Sequence, residues 1–279
     1  MKKMVDFKVR QLGLMLLLIL SVLNLFSCKN AHEKTFEELQ SEYALIGDYH
    51  EMGLNYILDD LKESCINKET KPGIDQMSKT IKASSVRFTV EILGLNQESE
   101  ESILRLQESF KLNIAKSDLN ESLLTLIDPQ VSLSDKQVYY LSELDKLLSE
   151  NIYDIYQCIN AIRNLEYHIY NNCSPEEIPL LFIATSIGAN SIAYWYNNFD
   201  IWESEIDMTE VSASKGTMHK EWFWGALSRM GKADIAGGLV GAGFGALAGG
   251  VGAIPGALAG ACNSSGICGL VVIYEHLTE

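Results

Sequence analysis

A chain of 279 residues, 47% of them hydrophobic and 21% charged, is long enough for one sizeable core or two small domains. Its 22 Lys and Arg stand against 37 Asp and Glu, a net charge of −15. That balance excludes a broad basic surface for nucleic-acid phosphates and disfavours an electrostatic hold on anionic lipid.

The chain begins with a positive leader, Lys2, Lys3, Lys8 and Arg10 offset by Asp6, followed by an apolar run from Leu12 to Phe26. A charged start, a short apolar stretch and a small residue before a cut are the parts of an export signal. The run falls short of the roughly 20 residues that span a bilayer as a helix. Its end, Leu25-Phe26-Ser27-Cys28, resembles the lipobox of bacterial lipoproteins. The resemblance implies that residues 1–27 are removed and that Cys28 is acylated as the new N-terminus. It also implies that membrane lipid is a partner through that anchor. Lys29 stands where an Asp would retain many such proteins at the inner membrane, so the resemblance points to the outer membrane. An ordinary secretory signal or an uncleaved anchor is the alternative. Two or three acyl chains hold firmly, since each buried CH₂ contributes about 0.8 kcal/mol.

Residues 28–34 make a short tether, and from Thr35 to Asn198 the chain reads as an all-α bundle. Phe36, Leu39, Tyr43, Ile46, Tyr49, Leu54, Ile57, Leu58 and Leu61 recur near helical spacing. Further helices are expected over 74–95, about 98–115 and 119–127. Ser134 with Gln137 three residues on is a capping box, and Val138, Leu141, Leu144 and Leu148 follow as an apolar face. Ile152 to Ile169 forms another stripe, broken at Glu166. Ser174-Pro175-Glu176-Glu177 signals the start of a helix expected to reach about Asn197. The tyrosines 139, 140, 153, 156, 167 and 170 suggest an aromatic groove, but their helical spacing fits ordinary packing better. The bundle is assigned to residues 35–199.

Residues 200–232 are expected to be a linker followed by a basic, aromatic stretch. Trp222 and Trp224, beside Lys220, Arg229 and Lys232, suit a membrane interface, where amphipathic rings sit at headgroup level. A pair of core tryptophans is the other reading.

The segment 233–279 is dominated by glycine. Ile235 to Ala261 holds ten Gly and eight Ala, and Gly237, Gly241, Gly245 and Gly249, then Gly252, Gly256 and Gly260, are spaced by four. That spacing lines one helical face, where missing side chains let another backbone approach. Each Gly costs about 0.8–1 kcal/mol against Ala in a helix interior, so a free helix in water is excluded. The segment must pack closely, in lipid or on its own protein, as one Gly/Ala-rich helix or as a helical hairpin turning near Gly249-Gly250 or Pro255. Bilayer association or self-association to a homo-oligomer is the favoured expectation. The zipper, preceded by Lys232-Ala233-Asp234, resembles class II bacteriocins over about 40 residues, and that resemblance implies membrane insertion.

Export permits disulfides, and Cys262 and Cys268 flank a turn-rich spacer, which makes them the candidate pair. Cys158 and Cys173, on one helix about 22 Å apart, cannot pair with each other. The histidines 32, 50, 168, 219 and 276 have no zinc spacing, and neither a GxSxG elbow nor a phosphate loop occurs. No catalytic residue, metal or cofactor is expected. The chain reads as a non-enzymatic, membrane-anchored envelope lipoprotein. A bacteriocin-like antagonist of neighbouring membranes and a helical ligand binder with an internal zipper are the alternatives.

Overall fold

The computed structural model describes residues 34–66, 73–109, 121–150, 154–206, 220–247 and 252–278. These are all-α. In chain order the helices are α1 (Phe36–Ile66), α2 (Ile74–Leu93), α3 (Gln97–Ser109), α4 (Leu123–Leu126), α5 (Asp135–Ser149), α6 (Ile155–Asn172), α7 (Ile178–Ile206), α8 (Lys220–Leu247) and α9 (Ala253–Thr278).

Local chemistry sets several boundaries. Ser134 accepts the Gln137 amide while the Gln137 side chain accepts the Ser134 amide, so the capping box is formed at the start of α5. Asp154 caps α6 through the amides of Tyr156 and Gln157. Glu177 accepts the Ser174 amide at 2.8 Å, but residues 175–177 form a turn and α7 proper begins at Ile178. α2 ends on Gly94 with φ 61°, a left-handed position that only glycine adopts freely.

The stripe on α1 is buried as its spacing predicts: Leu39, Tyr43, Ile46, Leu54, Ile57, Leu58 and Leu61 all face the core. Glu166, which interrupts the α6 stripe, is buried rather than a break. Arg163 Nη1 lies 2.7 Å from one carboxylate oxygen and Gln40 Nε2 2.7 Å from the other.

The middle of the molecule is α9. It runs antiparallel to α8, lies against α1 and α2, and reaches α7 through Trp195. Residues of every one of these helices join one apolar cluster. The division into a bundle, a linker and a separate glycine segment therefore gives way to a single core. α7 does not stop near Asn197: Phe199, Trp202 and Ile206 continue its buried face. The acidic residues between them hid that face, so 200–206 is helix rather than linker. Residues 220–232 are likewise the first turns of α8.

Candidate functional site

The glycine segment is a helical hairpin whose seam lies between its own two arms. A Cβ on Gly237 would overlap the Gly260 carbonyl, and one on Gly260 the Gly237 carbonyl. Gly241 and Gly256 stand in the same reciprocal relation, and a Cβ on Gly245 would strike the Gly252 carbonyl. The amide of Gly252, at φ 82°, donates to the Gly245 carbonyl at 3.1 Å and ties the arms together. Gly249 lies outside the described residues. The missing side chains thus admit a neighbouring backbone, and the cost of so many glycines is offset by the burial this approach allows.

A polar cluster sits beside the seam, where α1, α7, α8 and α9 meet. His50 and Asp234 are both fully buried, with Nε2 3.5 Å from Oδ2. Ser265 donates to Asp234 Oδ2 at 2.7 Å and accepts the Trp195 indole N–H at 3.0 Å. Neither His50 nitrogen makes a hydrogen bond of ordinary geometry. Burial pushes His50 down to about 3, with the Ala261 backbone acting the other way. Burial also raises Asp234 well above the usual carboxylate range, against smaller opposing effects of Ser191, Ser265 and Trp195. Their spacing would admit an ion pair, but the dry surroundings favour a neutral imidazole beside a protonated carboxyl. In either arrangement the pair holds one proton. His50, Asp234 and Ser265 all lie out of contact with solvent, and their side chains tie α1, α8 and α9 together.

The residues expected at a membrane interface are mostly inside. Trp224 is buried and donates to the Glu150 carbonyl at 3.0 Å. Arg229 is buried with Nη1 2.6 Å from Glu275 on α9. Lys232 is buried, 2.9 Å from Asp145 on α5, and donates to the Glu121 carbonyl at 3.2 Å. These three are core contacts and not an interfacial belt. Their carboxylate and carbonyl partners lie on distant segments, which a local reading of charge does not see. Trp222 is half-buried with its ring 4.2 Å from that of His276, and Lys220 is exposed.

Cys262 and Cys268 are both free and buried within α9, as are Cys158 and Cys173 elsewhere in the bundle. The supposed turn at 263–267 is helical. Six residues of helix separate the two α9 thiols by about 9 Å, beyond the roughly 7 Å that a disulfide permits. The Cys262–Cys268 pair is thereby corrected. Cys28 lies outside the described residues.

Among the described residues no three His, Cys, Asp or Glu side chains converge as a metal site would require. A surface cleft of about 620 Å³ opens between α5 and α6, lined in part by Tyr139, Tyr140, Leu165 and His168. α7 and α9 are each long and apolar enough to cross a membrane, and both are mostly buried within the bundle. No protein-family model matches the chain, and comparisons with curated proteins and with solved structures return no match.

Proposed function

We propose that this protein is a non-enzymatic lipoprotein of a bacterial envelope, held at the outer membrane through Cys28, with its glycine zipper serving as the internal seam of a water-facing bundle. The observation that carries this reading is the reciprocal burial of Gly237, Gly241, Gly256 and Gly260 against each other's carbonyls. A face so filled is not available to a second copy or to lipid unless the fold opens. Membrane attachment then rests on the acylated N-terminus, and the protein is a monomer.

The test replaces residues 1–28 with a plain cleavable secretory signal and extracts the membranes with alkaline carbonate. The expected result is a protein that washes out as a folded monomer. Retention in the membrane would overturn the internal role of the zipper and revive the bacteriocin-like alternative. That alternative also requires dye leakage from liposomes by the intact chain, and none is expected while α8 and α9 stay covered by α1, α2 and α7.

A further inference from the structure

The cleft between α5 and α6 is framed by two contacts that hold the helices antiparallel. The Lys136 ammonium donates to the Asn172 carbonyl at the end of α6, and the Tyr140 hydroxyl donates to the His168 carbonyl at 3.2 Å. In that register Glu143 falls level with Leu165, and both line the cleft. The Lys136 charge is thereby met by a helix C-terminus, where cations are favoured.

The carboxylates of the cleft are not so met. Asp135 is exposed and Glu143 half-buried, and among the described residues neither has a hydrogen-bond or ion-pair partner. A half-buried carboxylate without a partner gives up hydration for nothing, so a cation beside it is favoured. Asp135, Tyr139 and Glu143 follow one another at four-residue intervals along α5. About 6 Å of helix separates each from the next, and about 12 Å the outer two. Tyr139 is 58% exposed, and its ring stands at 79° to the Tyr140 ring with centroids 5.1 Å apart. Its aromatic surface is open to the cleft, and an aromatic face attracts an ammonium group. Leu165 and the Tyr140 ring supply apolar lining.

We propose that this cleft binds a linear aliphatic polyamine, with its outer ammonium groups on Asp135 and Glu143 and an inner one over Tyr139. The methylene segments between the charges lie on Leu165 and the Tyr140 ring. The site stands apart from the glycine seam and does not depend on the Cys28 anchor. With a net charge of −15, the whole surface attracts cations weakly, and salt screens that attraction. The cleft differs in setting two unpartnered carboxylates on either side of an open aromatic ring at fixed intervals. Selectivity follows from length. Extended spermidine has terminal ammonium groups about as far apart as Asp135 and Glu143, with a third between them. Putrescine is too short to reach both carboxylates.

The test titrates spermidine into the full chain in a non-ionic detergent by isothermal calorimetry, at about 0.15 M salt to screen the wider surface. Saturable one-to-one binding, tighter than that of putrescine, is the expected result. Glu143→Gln should weaken it about tenfold and Tyr139→Leu about fivefold. Glu51→Gln, on the exposed side of α1, should leave it unchanged. Absence of saturable binding, or equal affinity for putrescine, overturns the site. So does unchanged affinity in either cleft variant, or equal weakening by Glu51→Gln, since the binding then belongs to the acidic surface at large.

Discussion

At the scale of single residues, the one proton shared by His50 and Asp234 sets a pH dependence. In the unfolded chain the two groups titrate near 6.5 and 3.8. Between those values folded and unfolded forms each bind one proton, and the pair adds no slope. Above 6.5 the unfolded chain has released both protons while the folded pair retains one. Stability then falls by up to about 1.4 kcal/mol per pH unit. Below 3.8 the unfolded chain binds two protons, and stability falls again until His50 protonates in the fold at about 3. Urea midpoints from pH 4 to 9 should show a plateau in mild acid and a decline on the alkaline side. Asp234→Asn removes the retained proton, so the alkaline arm disappears and the decline on acidification begins at about 6.5 instead. An unchanged alkaline slope in that variant would assign the effect to other groups. The thiols give a second check. Burial holds Cys158 up at about 11 and Cys268 at about 12, and raises Cys262 as well. All should react slowly with a disulfide reagent in the native protein and at once in denaturant, without prior reduction. Nothing in the sequence marks His50 as the partner of Asp234, because 184 positions separate them and only the packing of α1 and α8 against α7 and α9 brings them together.

At the scale of helices, the seam separates glycines that look alike in sequence. Gly241→Ala drives a methyl into the Gly256 carbonyl and should cost about 3 kcal/mol or more, since backbone cannot yield as a side chain can. Gly243→Ala, half a turn away, meets only the Val131 side chain at 3.3 Å. There the gain in helix propensity, up to about 1 kcal/mol, should leave the denaturation midpoint unchanged or raised. Ser134→Ala, at the capping box of α5, should lower stability by about 1 kcal/mol. The capping box, the α1 stripe and the spacing of the zipper were all legible in the sequence because each depends on residues within a few turns. The partner of the zipper was not legible: four-residue spacing says that a backbone comes close, and not whose. The last turns of α7 were hidden for a related reason. Asp200, Glu203 and Glu205 dilute the apolar pattern there, although Trp202 is fully buried. Trp224, Arg229 and Lys232 read as an interfacial set because their counterparts, Glu150, Asp145 and Glu275, lie on other elements.

At the scale of the whole molecule, α8 and α9, packed on each other at the centre, come after the other described helices in chain order. Until α8 and α9 arrive, Ile187, Ile192 and Trp195 of α7 lack the Gly238, Gly231 and Gly269 they pack on, and His50 of α1 lacks Asp234. Ending the chain after Arg229 should therefore abolish the cooperative thermal transition rather than trim a tail, as near-ultraviolet circular dichroism would register. A polypeptide arranged in this way cannot close its core while only its earlier helices exist, because α8 and α9 follow the other described helices. Folding is thereby deferred by the order of the helices, and the keystone is laid after the arch.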